Sequence, residues 1–388
     1  MNLDGITEQK ASVFVLASKL MIIVSVLLYI LQNSVFSSRF NFPTPHGHEF
    51  FVIYFLAVMI TVLNLREVRS LILFIIFFVV GLLLFRSIGI NPIAIWLMLS
   101  LAAYSSGLPF RAALKAHLTG LTAGFFIVVL MSLIGYLPKS GYDSTVLFSG
   151  YANVVYMYGF THPNFFFAVI MFAYFELNWL YENYFKKTRF IAGILLGLFA
   201  IGAGAYTAGV GFILASFFIL YPLSLRKGGF KRIVSFGSIL VVLFVALIIL
   251  IVTSNPSGAF AVWMNGAVQS RPYLWNYYLD TYRVEAIAKP IELNLSGFNT
   301  TPGNGALDGG IIYNLMYFGI IPTILIVWTW LKLRLQAIRT NDFVLLIFFT
   351  LMVTMTLSEN TSSEFYTNGF MLFVGYGVMK KGKTSDAS

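Results

Sequence analysis

Length, composition and charge exclude a water-soluble globular domain. The chain has 388 residues, of which 59% are apolar and only 10% are charged, and its mean hydropathy is +0.84. The surface of a soluble domain needs roughly a quarter of charged residues, so we predict an all-α polytopic membrane protein with one integral membrane domain over residues 1–388. Cysteine is absent, which excludes disulfides, thiolate nucleophiles and cysteine-bound metals together.

Apolar runs long enough to cross a bilayer follow one another along most of the chain. A helix needs about 20 apolar residues to cross a hydrocarbon core of roughly 30 Å. The twelve predicted spans are residues 12–32, 50–65, 70–85, 89–108, 113–136, 163–184, 190–206, 208–225, 232–253, 311–331, 343–358 and 366–379. The first run lacks a small-residue cleavage site, so no cleavable signal peptide is expected. Residues 202–209 must form a tight turn between two spans.

The distribution of basic residues predicts the orientation. With the N-terminus inside, 18 of the 25 Lys and Arg residues fall in cytoplasmic segments, and the positive-inside rule then places both termini in the cytoplasm. Lys19 lies within the first span, and six basic residues fall outside: Arg39, Arg86, Lys139, Arg271, Arg283 and Lys289. The net charge of +10 is therefore mostly a topology signal, and no nucleic-acid partner is expected.

The longest predicted external segment, residues 254–310, is too polar to span a membrane. Ser270-Arg271-Pro272 predicts a helix start, and Trp275 and several tyrosines follow it. One interpretation is a passive anchor at the membrane interface, where aromatic rings settle at headgroup level. The other interpretation is a helix that forms the base of a cavity open to lipid. Arg271 and Arg283 would then contact a phosphorylated lipid head, because guanidinium groups match phosphate oxygens.

Four further polar residues at predicted span ends each allow a structural and a functional interpretation. His162 and Asn164 flank Pro163 at a helix start and either cap the helix or act as proton acceptor and sugar ligand. Asp308 is either an N-cap or a general base at the cavity rim. Glu359 is either a solvated loop residue or a contact to substrate.

Glu176 lies about 13 residues into the sixth predicted span. A carboxylate at that depth faces a large desolvation cost unless it is paired, and we predict a basic partner such as Lys19 or Lys115. His46-x-His48 is too weak a pattern to predict a metal site, and no other metal motif is present. We therefore expect neither a metal nor another cofactor.

Three sequence segments in fixed order resemble motifs of one protein family. They are Gly-Phe-Thr-His-Pro-Asn (159–164), Ser-Arg-x-x-Leu-Trp (270–275) and Asp-Gly-x-Ile-Ile-Tyr-Asn-Leu-x-x-x-Gly-Ile-Ile (308–321). Together with about twelve spans and a large external loop before the tenth, they resemble the Wzy-type bacterial polysaccharide polymerases, which are related to O-antigen ligases. The resemblance covers about the second half of the chain.

The resemblance implies a metal-independent, GT-C-like glycosyltransferase of the bacterial cytoplasmic membrane. Such an enzyme joins undecaprenyl-diphosphate-linked oligosaccharide repeat units at the outer face, during O-antigen, capsule or exopolysaccharide synthesis. It implies membrane lipids, a flippase and a chain-length regulator as partners. Asp308 and His162 are then the expected catalytic residues, and Arg271, Arg283, Asn164, Trp275 and Glu359 the expected substrate-binding residues.

One departure from the family pattern concerns the diphosphate contact. Many relatives carry Thr-x-Ser-Arg near the end of the seventh span, where this chain has Tyr206-Thr207-Ala208-Gly209 and no Arg. The diphosphate contact assigned to that Arg is then either missing from this chain or supplied by another residue, such as Arg271 or Arg283. Ligases carry a His where Asp308 stands.

Three other functions remain open at the level of sequence, and one of them is a non-catalytic membrane scaffold. A ligase-like transferase would share the chemistry, and a lipid-linked-oligosaccharide flippase or other transporter would share the span count. A transporter is expected to carry charged or helix-breaking residues at mid-membrane, whereas the polar residues of this chain concentrate outside the spans.

Overall fold

The structure is a computed structural model. It describes residues 3–40, 48–88, 92–143, 153–160, 163–182, 184–219, 229–267, 271–287, 309–357 and 365–377. Its helices are α1 (Leu3–Gln32), α2 (Val35–Arg39), α3 (His48–Asn64), α4 (Val68–Ile88), α5 (Pro92–Ser105), α6 (Phe110–Leu133), α7 (Pro163–Leu180), α8 (Lys186–Gly202), α9 (Tyr206–Ile219), α10 (Gly229–Ser254), α11 (Ala259–Ala267), α12 (Arg271–Thr281), α13 (Gly310–Tyr317), α14 (Ile320–Arg339), α15 (Phe343–Met355), a 3₁₀ helix (Gly369–Leu372) and α16 (Phe373–Gly377).

Helices occupy all twelve predicted spans, and several are apolar enough to cross a membrane. Five of them meet both the length and the hydropathy expected of a span: Val13–Gln32, Ser70–Ser87, Phe110–Leu133, Arg232–Ser254 and Ile320–Arg339. Five more apolar helices are shorter, between 10 and 17 residues. The chain is thus a helical protein of the multi-pass membrane type, while the number of twelve spans stays a prediction.

Exposed apolar side chains support this assignment. On α10, Phe236, Leu243 and Leu250 recur every seven residues and are 64%, 59% and 63% exposed. α3, α4 and α8 carry similar apolar faces. A continuous apolar stripe of this size is unstable in water and stable against lipid tails.

The centre of the bundle consists of helices that are apolar on every side. Ile93–Ala103 of α5 are buried without interruption, and most of α15 is buried as well. A helix that is hydrophobic all round belongs in the interior. Trp96 of α5 donates its indole N–H to the backbone oxygen of Met371 at 2.7 Å, which fastens α5 to the C-terminal segment.

Glycines bring neighbouring helices into close contact. A Cβ at Gly120 of α6 would lie 2.5 Å from the carbonyl oxygen of Ile23 in α1. Gly197 and Gly209 do the same between α8 and α9, where a Cβ on either would lie 2.9–3.0 Å from the backbone oxygen of the other. Small residues at such crossings allow backbones to approach in membranes. The tight turn predicted near 202–209 is confirmed, since α8 ends at Gly202 and α9 begins at Tyr206.

The tenth predicted span is a broken helix, not the single span we expected over 311–331. α13 ends at Tyr317, and Gly319 adopts a φ of +96° before α14 begins. The amides of Ile320 and Ile321 donate to the backbone oxygens of Glu285 and Ala286, each at 3.0 Å. The chain that follows α12 therefore satisfies the first amides of α14, which a helix break leaves without intrahelical partners.

The last predicted span, 366–379, is also different from the expectation. Its described part is a 3₁₀ helix followed by α16, nine helical residues in all, which extend for only about 15 Å. Residues 365–375 are buried, and the Tyr376 hydroxyl donates to the backbone oxygen of Leu108 at 2.8 Å. This segment is a short helix enclosed by the bundle.

A small hairpin lies in the predicted external segment 137–162, which the all-α expectation did not include. Strands β1 (Ser140–Asp143) and β2 (Asn153–Tyr156) pair antiparallel, with Ser140 opposite Tyr156. Nearby, the Val35 amide donates to the Gly159 oxygen at 2.9 Å. This contact places the predicted external segments 33–49 and 137–162 at the same end of the bundle, as the predicted topology requires. Which side of the membrane that end faces stays a prediction.

Candidate functional site

The predicted helix in the long loop is confirmed as α12. Pro272 stands in its first turn, where a missing amide hydrogen costs nothing, and the Tyr273 amide donates to the Asn265 side chain of α11 at 2.8 Å. The Asn276 side chain reaches back to the Val252 oxygen of α10 at 3.3 Å. α10, α11 and α12 thus form one hydrogen-bonded unit.

Burial along α12 corrects the simple picture of an interfacial aromatic helix. Trp275 is 0% exposed and Tyr278 is 1% exposed, so these rings pack inside the protein. Tyr273 and Tyr277 are 44% and 38% exposed and form the outer face. Arg271 belongs to the buried face, whereas Arg283 is exposed.

A cluster around α12 joins the long loop to the next helix. We call it the α12 cluster, and its buried members are Ile248, Val252, Ala261, Met264, Trp275, Tyr278, Ile312 and Met316. Gly309 lies so close to Trp275 that an added Cβ would be 2.5 Å from the indole nitrogen. Gly309 has a φ of +104°, so glycine suits both its conformation and its contact.

Two of the three sequence segments that carry the family resemblance therefore touch. Trp275 closes the segment 270–275, and Gly309 stands second in the segment 308–321. Leu357, at the end of α15, also packs against the α12 cluster. Gly309, which follows Asp308 in the chain, and Leu357, two positions before Glu359, therefore lie beside α12.

The first segment lies in another part of the described structure. Gly159 contacts Val128 and Leu137, where an added Cβ would be 3.0 Å from either side chain, and the Phe160 ring packs on Phe125. Asn164 is half-buried in the first turn of α7. Within the described residues, Gly159 and Phe160 contact Ser34, α2, α6 and α7, so this segment lies apart from α12.

Three predicted site residues, His162, Asp308 and Glu359, lie outside the described residues. Their roles stay predictions. Arg271 and Trp275 share the buried face of α12, and Arg283 follows the end of that helix.

The most deeply buried ionisable pair of the described residues was not predicted from the sequence. His117 of α6 and Glu176 of α7 are both 0% exposed, and His117 Nδ1 lies 3.0 Å from Glu176 Oε2. Glu176 was correctly expected to be paired, but the predicted partners Lys19 and Lys115 are wrong. The imidazole of His117 is the partner of the carboxyl group instead. The sequence signal for this pair was a His within one apolar run and a Glu within another.

The pair also holds the start of the C-terminal buried segment. His117 Nε2 lies 2.7 Å from the Phe365 oxygen, and Glu176 Oε1 accepts from the Gly369 amide at 2.9 Å. Both imidazole nitrogens thus face oxygens. A neutral imidazole has a single N–H, so the geometry needs one more proton, carried either by the imidazole or by the carboxyl group.

Two arginines in predicted cytoplasmic segments also have structural contacts, beyond their effect on topology. Arg189 is buried and donates to the backbone oxygens of Asn178 and Glu182, at 3.3 and 2.9 Å. Arg111 donates to the Leu180 oxygen. Both cations therefore lie at the C-terminal end of α7, where the helix dipole and the last carbonyls favour positive charge.

Within the described ranges, no group of three or more His, Asp or Glu side chains could hold a metal ion. Comparisons with known proteins returned no matching protein-family model, no matching curated protein and no matching solved structure.

Proposed function

We propose that this chain is a polysaccharide polymerase of the bacterial cytoplasmic membrane. It transfers an oligosaccharide from undecaprenyl diphosphate onto the repeat unit of a second lipid-linked molecule, at the outer face and without a metal. In this proposal the fold is GT-C-like with twelve spans and both termini in the cytoplasm. Chain-length regulator and flippase are its expected pathway partners.

The observation that supports the proposal best is the contact between Gly309 and Trp275. It joins the segment that carries Arg271 to the segment that begins with Asp308, although Asp308 lies 33 positions after Trp275 in the chain. The reaction needs a cation for the leaving diphosphate and a base for the acceptor hydroxyl. A tight contact between the segments that carry them is what such a site requires.

The chemistry follows from these residues. The bond between the anomeric carbon and the diphosphate oxygen breaks, and the acceptor hydroxyl oxygen forms the new glycosidic bond. Its proton passes to Asp308, while undecaprenyl diphosphate leaves with the bonding electron pair. Arg271 stabilises the charge that develops on the diphosphate, and the carboxylate of Asp308 also stabilises the oxocarbenium-like sugar.

In this proposal the remaining site residues bind substrate, except Trp275, which is fully buried. His162 and Asn164 position the sugar, with His162 as the alternative base. Glu359 contacts the acceptor. Arg283, which is exposed after α12, meets the second lipid diphosphate, and Trp275 keeps Arg271 in place by packing the helix.

The test uses the purified full-length protein with lipid-linked repeat unit as substrate. Arg271→Ala should lose nearly all polymer formation, and Arg271→Lys most of it, because a point donor does not replace a bidentate fork. Arg339→Ala, at the exposed end of α14, is the matched control and should keep full activity. If Arg271→Ala still produced polymer of normal length, α12 would be only a membrane anchor.

A lipid-linked-saccharide transporter is the second candidate. The His117–Glu176 pair favours it, because buried ionisable residues and broken helices such as α13–α14 are typical of transport pathways. Vesicles that contain the protein and lipid-linked repeat unit distinguish the two functions. A polymerase produces longer glycan, whereas a transporter moves the repeat unit between leaflets without changing its length.

A further inference from the structure

A cavity of about 700 Å³ is lined by residues that are all separate from the α12 cluster. Its walls come from α1, from the turn between α3 and α4, and from the C-terminal end of α5. Lys19, Asn64, Arg66 and Ser105–Gly107 line it. The volume falls in the range of roughly 300–1,000 Å³ that small-molecule sites occupy.

The cavity is positively charged. Two of its described lining residues, Lys19 and Arg66, are cations, and none is acidic. No ion pair joins either cation to a carboxylate of the described residues. The nearest described carboxylate in the chain, Glu67, is exposed beside Arg66 and lies outside the lining.

Lys19 has an unusual position for a lysine. It lies seven residues inside the first apolar run, and α1 presents the apolar side chains of Leu16 and Leu20 to the exterior around it, at 57% and 51% exposure. A lysine at such a place is costly unless its ammonium reaches water or an anion. The cavity supplies that space, and Arg66 also lines it.

The polar wall leaves recognition mainly to the cations. Ser106 already donates to the Ala103 oxygen at 2.9 Å and accepts from the Ser18 hydroxyl at 3.1 Å. Asn64 donates to the Ile60 oxygen at 2.8 Å. Ammonium and guanidinium donors suit phosphate oxygens, and the buried Ser105 hydroxyl, which has no hydrogen-bond partner among the described residues, is a further donor for an anion in the cavity.

We propose that this cavity binds the phosphate of an anionic membrane phospholipid. The apolar surroundings favour a lipid over free phosphate. Leu16 lines the cavity, and Leu63 precedes the lining residue Asn64 in the chain. These two side chains are 57% and 62% exposed and offer surface on which acyl chains can lie. The lipid headgroup enters between Lys19 and Arg66 while its tails cover these side chains. The site is independent of the polymerase reaction, because its residues are separate from those of α12 and α13.

The experiment measures lipid binding by native mass spectrometry of the full-length protein in detergent. The probes are phosphatidylglycerol, zwitterionic phosphatidylcholine and inorganic phosphate. The variants are Lys19→Gln, Arg66→Gln and their combination. Lys187→Gln and Arg232→Gln remove exposed basic residues from other helix starts and serve as matched controls.

The wild-type protein should bind one phosphatidylglycerol in preference to phosphatidylcholine. Each single substitution should weaken that binding about fivefold, the effect expected of one interfacial cation, and the controls should leave it unchanged. Arg66 is exposed, so its single variant keeps the test valid if Lys19→Gln does not fold.

Two results would overturn the inference. Equal weakening in the Lys187 and Arg232 controls would show general attraction to basic loops. Displacement of bound phosphatidylglycerol by millimolar inorganic phosphate, or a phosphate-only complex that depends on Lys19 and Arg66, would show that the cavity takes a free anion.

Discussion

Replacing Glu176 tests whether its hydrogen bonds hold the C-terminal buried segment. Its two oxygens serve His117 Nδ1 at 3.0 Å and the Gly369 amide at 2.9 Å. Glu176→Ala removes both oxygens and leaves two buried polar groups, the Gly369 amide and His117 Nδ1, without partners. Removing one partner of a buried pair costs about 3–5 kcal/mol, which is more than a hundredfold in the folding equilibrium.

Glu176→Gln should be far milder, because the amide can reproduce the network. Its oxygen accepts from the Gly369 amide, and its NH₂ donates to His117 Nδ1. His117 then carries its single hydrogen on Nε2 and donates to the Phe365 oxygen, which lies 2.7 Å away. All the hydrogen bonds survive in neutral form, so we expect a loss within about 1 kcal/mol.

The assay is unfolding in mixed micelles of mild detergent and sodium dodecyl sulfate, followed by tryptophan fluorescence. Glu67→Ala, which removes an exposed carboxylate, is the control and should stay within about 0.5 kcal/mol of wild type. Equal losses of unfolding free energy in the Gln and Ala variants would refute this prediction. The charge of Glu176, and not its hydrogen bonds, would then stabilise the segment. An Ala variant as stable as wild type would show that the pair does not hold the segment.

Three further predictions concern the site and the topology. Gly309→Ala should destabilise the protein by about 1–3 kcal/mol, because Gly309 has a positive φ and touches Trp275. Gly266→Ala, with open space around it, is the control and should not destabilise the protein in the same unfolding assay. Equal stability of the two variants would show that the Gly309 contact does not hold α13 against α12. Asp308→Asn should lower polymer turnover about 10²-fold or more with donor binding intact, and His162→Gln should not; the reverse result would exchange the two assignments. In intact cells an impermeant maleimide should label Val284→Cys and leave Lys187→Cys unlabelled, since only the first lies in a predicted external segment; the opposite pattern would invert the orientation.

Local sequence signals predicted the helices well. Each of the twelve apolar runs contains helix, and the start of α12 at Arg271 follows from the proline in its first turn. The turn between α8 and α9 was predicted from its glycines and alanines. These features depend on residues that are neighbours in the chain, so a window of about 20 residues contains the information.

Contacts between distant residues could not be predicted in the same way. The partner of Glu176 was expected to be Lys19 or Lys115, because the prediction relied on opposite charge alone. The structure selects His117, which is 59 residues away. Likewise, an apolar run at 366–379 has the composition of a span, and only the packing around Trp96 shows that its described part is a short, enclosed helix.

By itself, the sequence determined that this is a helical membrane protein, since apolar length and the near absence of charge leave no soluble alternative. It also indicated which segments between the predicted spans are too polar to cross a membrane. Only the tertiary structure decided that Trp275 is buried under Gly309, that the helix breaks at Gly319, and that Lys19 shares a cavity with Arg66. The physical reason is that burial and pairing depend on which helix faces meet, and two faces with equal apolar content differ only in the shapes of the side chains that pack between them.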